Sequence, residues 1–271
     1  MVHQHRFAAK AYVSGTGRRA LWTPLRPGSE RLAPQFWVAP NLLKADVRRM
    51  AMTTRIGFCD ITGQTNERSL LAARIPAGVI CGNKVPTVVF GPNDAAEEDR
   101  TALGDLWLAM ANSFAVDWYA RRVLTTTLNY FILLGLVFPT LEFGSLPAKR
   151  LITLVRGLDE ALVSGDRWTW ANRRAEIDAR VFSLYGLGTD DVRTIFTDFR
   201  LLDRGQPPLP GKSCSTVTRD LVLTHMARVA GTHDDTAELR VACARKAGAY
   251  AYVPADWSSA GPDSKQEAFY G

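Results

Sequence analysis

Polar and apolar residues alternate over the first 13 positions, "MVHQHRFAAKAYV", with the period of two that a half-buried strand requires. The next stretch, "SGTGRRALWTPLRPGSERLAP", is rich in Gly, Pro and Arg and reads as a long loop, a kind of segment that often carries function in compact domains. "QFWV" is expected to resume as a short strand closed by Pro40. In "NLLKADVRRM", Asn41 stands where an N-cap belongs, and Leu42, Leu43, Val47 and Met50 follow at helical spacing. "TRIGFCDITGQTNERSLLAARIP" alternates at Ile56, Phe58 and Asp60 and then breaks at the turn-prone "TGQTN". "GVICGNKVPTVVF" predicts two short strands about a turn at Gly82-Asn83.

The period becomes helical from "NDAAEEDRTALGDLWLAMANSFAVDWYARRV" onward. Asn93 or Asp94 is the expected cap, the acids after it suit the dipole of a first turn, and Gly104 and Asn112-Ser113 are expected to bend or split the helix. "LNYFILLGLVFP" reads as an apolar strand ending at Pro139. Helices are then predicted at about 148 to 163, 170 to 185, 189 to 198, 213 to 230 and 234 to 247, with Thr189 before two acids a good start for the third. The fold class expected is α+β, with a mixed β-rich module over 1–142, a helical extension over 143–250 and a flexible tail over 251–271.

With 46% hydrophobic and 22% charged residues, the chain can bury a real core and is not compositionally disordered. Its net charge of +6 is unevenly placed: residues 1 to 90 hold 13 Lys/Arg against 4 Asp/Glu, whereas residues 143 to 271 hold 17 against 16. A basic first third favours a polyanionic partner, through counterion release from phosphates, or else is a solvated basic surface. The cysteines, Cys59, Cys81, Cys214 and Cys243, lack the spacing of a disulfide scaffold or zinc ribbon. His3 and His5 could face the same way on a strand, but a lone H-x-H is read as structural. Nothing at the N-terminus looks like a signal peptide, and "YFILLGLVF" falls well short of the ~20 residues of a membrane span, so a cytoplasmic protein without a membrane is expected.

Candidate chemistry is sparse. "SGTGRR" contains G-x-G without the third glycine or the following helix of a nucleotide loop, and no phosphate-loop, metalloprotease or serine-hydrolase motif is present. "TNER" is more informative: Asn66, Glu67 and Arg68 suit base edges or phosphates, or alternatively order their own loop through an Asx turn and a Glu67–Arg68 pair. "NSFAVDWYARRV" would bury Phe114, Trp118 and Tyr119 and present Arg121 and Arg122 in its last turn. There they could either bond the terminal carbonyls or reach a phosphate or a guanine edge.

"DITGQTNERSLLAARIP", then "GNKVPTVVF", then "NSFAVDWYARRVLTTTLNYFIL" and a Pro resemble, in order and spacing, the target-recognition region of large adenine-specific DNA methyltransferases, including fused type IIG restriction-modification enzymes and related phage-defence methyltransferases. "MVHQHRFAAKAY" looks like a strand of that family, and "AEIDARVFSLYGLGTDDVRTIFTDFRLLDRG" looks like its closing helical segment, so the resemblance covers about residues 1 to 228. The family's N-P-P-Y/F motif and cofactor glycine loop are missing: the Pro-Pro pair stands in "GQPPLPG" between Gln206 and Leu209, and "TTT" at Thr125 to Thr127 replaces the usual G-T/S-x. Met1 falls where the family's catalytic domain would end.

The resemblance therefore implies a recognition half without its chemical half, binding double-stranded DNA beside a methyltransferase or nuclease chain. No cofactor is expected in this chain, and S-adenosylmethionine belongs to the partner or missing domain. Phosphate contacts are expected from Arg18, Arg19, Arg26 and Arg31, and base readout from Asn66, Arg68, Lys84 or Arg121, with Arg122 and Asn129 completing the set. The alternatives are a truncated remnant or structural partner of a defence complex, and a methyltransferase with an unrecognised site.

Overall fold

The computed structural model describes residues 3–25, 32–92 and 94–252, with Arg18 described by its backbone alone. The expectations for Arg26, Arg31, Asn93 and the tail from residue 253 lie outside the described residues. The fold is α+β: two small antiparallel sheets followed by helices.

The first sheet is a two-stranded ribbon of β1 (Lys10–Ser14) and β2 (Leu21–Pro24). The strand expected from residue 1 is confined to this part, because residues 3–6 fold into a tight turn bridged between His3 and Arg6, with His5 at a φ of 61°. His3 and His5 therefore do not share a strand face. "QFWV" forms no strand: it finds no ladder partner, and Trp37 stands 81% exposed. Helix α1 (Ala45–Met52) starts later than Asn41 would place it, with a 3-10 turn over Pro40–Leu42 before it and Lys44 at its N-cap.

The second sheet has the order β4-β3-β5, with β3 (Arg55–Phe58) antiparallel to both β4 (Ala72–Ile75) and β5 (Thr87–Val88). All of β3 is buried, and a Cβ on Gly57 would lie 2.8 Å from Ile75 Cγ1 and 2.9 Å from Val85 Cγ1, so only glycine fits there. The turn before β5 forms at Gly82–Val85, but the strand expected ahead of it does not.

Helix α2 (Glu97–Ala111) passes through Gly104 without a break, and Ile56 Cδ1 fills the space where a Cβ would be, 3.4 Å away. The expected split falls at Asn112-Ser113. Buried Asn112 exchanges two hydrogen bonds with the backbone of Ala72 (3.1 and 2.9 Å), and Ser113 Oγ accepts from Val116 N to cap α3 (Phe114–Val123). The strand expected in "LNYFILL" is instead a helix, α4 (Tyr130–Gly135), which Asn129 starts by accepting from Ile132 N at 3.0 Å. An apolar run does not by itself distinguish strand from helix, and here the capping side chain decides.

Helices α5 (Leu146–Val163), α6 (Arg167–Leu184), α7 (Thr189–Phe196), α8 (Val217–Val229) and α9 (Asp235–Lys246) follow close to expectation. Ser145, Asp166 and Asp234 cap α5, α6 and α9 with their side chains, and Asp191 Oδ2 accepts from Gly188 N at the start of α7. Helix α6 lies at the centre, packed on α2, α5 and α8, with Trp170 and Phe182 buried.

One continuous apolar cluster runs from Ile56 to Tyr252, so packing does not break at the boundary expected near residue 142. Nor does order end at 250: Ala251 and Tyr252 are buried, and Tyr252 OH donates to Asp178 Oδ2 at 2.6 Å. Among the described residues no helix is long and apolar enough to cross a membrane.

Candidate nucleic-acid interface

The "TNER" loop and the "DWYARR" helix meet at one carboxylate. Asp117, fully buried on α3, accepts from Arg68 Nε at 2.7 Å, from Arg121 Nε at 3.0 Å and from Ser69 N at 3.1 and 3.0 Å. Arg68 reaches on to the Asn112 carbonyl at 2.7 Å and lies 3.8 Å over the Phe114 ring. Arg121 donates to the carbonyls of Gln64 (2.9 Å), Asn66 (2.7 Å) and Glu67 (2.7 Å) and lies 4.2 Å over Phe199.

Both arginines are thus internal, Arg121 only 4% exposed, and neither is presented to a groove as a base reader. Arg121 does not close its own helix end either; its donors clasp the backbone of a loop more than 50 residues away. The physical reason is the i,i+4 spacing of Asp117 and Arg121 on one helix face, which commits the guanidinium to that carboxylate. The loop is closed further by Thr62 Oγ1 to the Ser69 carbonyl, Ser69 Oγ to the Gly63 carbonyl and Gln64 Nε2 to the Leu124 carbonyl. Asn66 stays exposed at its tip.

The threonine run lies beside the start of this loop. Thr62 N donates to the Thr126 carbonyl and Leu128 N to the Asp60 carbonyl at 2.7 Å, about an isolated bridge between Ile61 and Thr127. Tyr130 OH then grips both the N–H and the carbonyl of Thr87, each at 2.9 Å. Lys84 and Asn129 are thereby brought together on a cleft of about 490 Å³ that is also lined by Asn83, Asp60 and Tyr130 and, from α1, by Val47 and Met50. Lys84 Nζ pairs with Asp60 at 3.0 Å while its side chain remains largely in solvent.

Arg122 does not join them. It stacks on Trp118 at 4.4 Å and pairs with Asp198, whose carboxyl is held below its ordinary range by hydrogen bonds from Trp118 Nε1 and Arg122. Arg19 stands apart at the ribbon tip, exposed.

Cations without an ion pair among the described residues occur in both parts of the chain, and in the helical part they include Lys149, Arg200, Arg204, Lys212, Arg245 and Lys246, beside many that are paired. Arg150 pairs with Glu176, Arg156 with Glu98 and Asp105, Arg193 with Asp190 and Arg228 with Glu238. Among the described residues Lys10, Arg19, Lys44, Arg48 and Arg49 have no carboxylate within ion-pair distance. Lys44, Arg48 and Arg49 were missed by the motif reading; the signal for them is "KADVRRM", a basic run with one acid on a helix whose apolar face is also solvent-exposed.

A second cleft, of about 420 Å³, is lined by Asn66, Glu67, Arg68, Phe114, Arg174 and Tyr252 among others. Burial, and then repulsion from Arg68, bring the Arg174 guanidinium down to about 10. The described residues contain no group of three His, Cys, Asp or Glu able to hold a metal ion. Burial pushes the thiols of Cys59 and Cys81 up, away from thiolate reactivity. No known protein family, curated protein or solved structure matches this chain.

Proposed function

We propose that the chain is the DNA-recognition portion of an adenine-specific DNA methyltransferase or restriction-modification system, acting in the cytoplasm on double-stranded DNA. Methyl transfer, with S-adenosylmethionine, belongs in this reading to a partner methyltransferase chain, and cleavage to a nuclease chain. The observation that carries it is the charge excess of the first third, where residues 1 to 90 hold 13 Lys/Arg against 4 Asp/Glu, with Lys10, Arg19, Lys44, Arg48 and Arg49 outside ion-pair distance of any carboxylate among the described residues. Clustered unpaired cations gain most from displacing counterions on a polyphosphate. Phosphate contact falls to Arg19, Lys44, Arg48 and Arg49, together with Arg18, Arg26 and Arg31 of the same basic stretch. Base contact falls to Asn66, Lys84 and Asn129.

The test is binding of the purified chain to mixed-sequence duplex DNA across a salt series. With about four phosphates neutralised, affinity should fall on the order of 100-fold between 50 and 200 mM salt. Salt-independent binding, or none at low salt, would overturn the reading. Calorimetric titration with S-adenosylmethionine alone should be flat.

A second reading, a structural subunit of a defence complex, is favoured by one feature: α4 presents Phe131 at 88% and Leu134 at 82% exposure, close in sequence to exposed Val137 and Leu146. Self-association in sedimentation without any duplex binding would support that reading over the first.

A further inference from the structure

The "SGTGRR" stretch, which fails as a nucleotide loop, has a definite structural role. It turns β1 into β2, with Gly15 and Gly17 at φ values of 80° and 53°. A Cβ on Gly15 would lie 2.4 Å from the Arg19 carbonyl oxygen, so the tip closes this tightly only on glycine. The tip is braced rather than loose: the Gly15 carbonyl accepts from Tyr12 OH at 2.7 Å and from Gln35 Nε2 at 3.1 Å, and Arg19 N donates to the Thr16 carbonyl at 3.0 Å.

The ribbon pairs with itself and not with the three-stranded sheet. Its register puts Lys10, Tyr12, Trp22 and Pro24 on one face, with Trp22 edge-on to Tyr12 at 5.6 Å and 43% exposed, and a register shift between Tyr12 and Ser14 adds local twist. The opposite face buries Ala11. No Asp or Glu occurs before Glu30, so no carboxylate of this stretch neutralises Arg19 or Lys10. The result is a stiff, twisted arm with a cationic tip and an outer face of cation and aromatic rings.

We infer that the β1–β2 ribbon enters a groove of duplex DNA, carrying Arg19 to the base edges or the flanking phosphates while Trp22 packs on the sugar wall. The inference rests on the DNA-recognition reading and names the element that makes first contact. The dimensions suit it: five residues of strand extend roughly 17 Å, and the major groove, about 12 Å wide, admits a two-stranded ribbon. Exposed Val13, Leu21 and Trp22 would also suit a membrane surface, and the vesicle measurement below separates the two partners.

The experiment uses the full chain and fluorescence anisotropy with mixed-sequence duplex. Arg19→Ala and Trp22→Ala should each weaken binding, Arg19→Ala by roughly 5- to 30-fold and with an unchanged thermal midpoint because its side chain is exposed, while Trp22→Phe, which keeps a ring against Tyr12, separates loss of contact from loss of ribbon packing. Arg193→Ala on α7, an exposed arginine paired with Asp190, serves as the control and should bind like the parent chain. Methyl green, which occupies the major groove, should compete with the parent chain. If the parent chain binds duplex and both ribbon variants bind equally well, the ribbon assignment fails while the DNA-recognition reading stands. If the parent chain does not bind duplex, both fall. Tighter binding to phosphatidylserine vesicles than to duplex, lost in Trp22→Ala, would assign the ribbon to a membrane surface instead.

Discussion

Replacing Asp117 by asparagine tests whether the carboxylate at the loop–helix junction holds the "TNER" loop in place. The substitution keeps the shape of the side chain and removes its charge. Arg68 and Arg121, both buried, then lose their shared counter-charge, and one of the two amide positions becomes a donor facing other donors: the guanidinium groups and Ser69 N–H. Removing one partner of a buried ion pair costs about 3–5 kcal/mol, a large share of the roughly 5–15 kcal/mol by which domains are stable. In a chain of this size that corresponds to a fall in Tm of roughly 6–20 °C. Guanidinium unfolding at pH 7 gives the free energy, and amide exchange gives the location, since Ser69 N–H loses its acceptor. Arg121→Met, combined with Asp117→Asn, should cost less than the sum of the single changes, with a coupling of about 1 kcal/mol or more. An Asp117→Asn chain within 1 kcal/mol of the parent, with unchanged exchange at Ser69, would refute the claim that this node fixes the loop.

Further outcomes follow from other positions. Gly57→Ala should destabilise by about 1–3 kcal/mol through overpacking against Ile75 and Val85, read by the same denaturant titration. Asn66→Ala should leave stability within about 0.5 kcal/mol, because its side chain is exposed, while weakening duplex binding in the salt series. Burial raises the Asp203 carboxyl to about 7 although Thr218 N–H donates to it at 2.9 Å. The native state then keeps a proton that the unfolded chain releases near pH ~4, so this contribution is full below pH ~4 and is lost as pH rises through 7. Because the residue retains some surface, Asp203→Asn should gain roughly 2 kcal/mol over the parent between pH 4 and 8; a difference flat in pH would refute it. His225, drawn down to about 4 by burial, works with the opposite sign as pH falls from ~6.5, and it cancels in that comparison. Phe131→Ser with Leu134→Ser should reduce self-association without lowering the Tm, checked by sedimentation and calorimetry.

What the sequence revealed tracks how local the deciding interactions are. The helix break at Asn112-Ser113 and the α5 to α9 helices each rest on caps and periodicity within a few residues, whereas the antiparallel pairing of 55–58 with 72–75 joins strands across the long connection between them and had no local sign. Helix α4 escaped because an apolar run carries no period, and its sign was the single Asn129 ahead of it. Arg68 and Arg121 look alike in sequence to free recognition arginines. Their commitment depends on a carboxylate 49 residues from Arg68, although the i,i+4 spacing of Asp117 and Arg121 was a visible hint. Conversely, Arg19 is left unpaired by the absence of acids around it, which charge counting does show.

Arg121 holds the "TNER" loop by its carbonyl oxygens, at Gln64, Asn66 and Glu67, and every amino acid supplies that same oxygen. Frame and lettering are therefore separable at this loop. The clasp is indifferent to which side chain stands at an exposed position such as Asn66, so chemistry there can be exchanged without rebuilding the support beneath it. Libraries that randomise Asn66 while keeping Arg68, Asp117 and Arg121 should yield mostly folded chains, each offering a different surface on an unchanged mount.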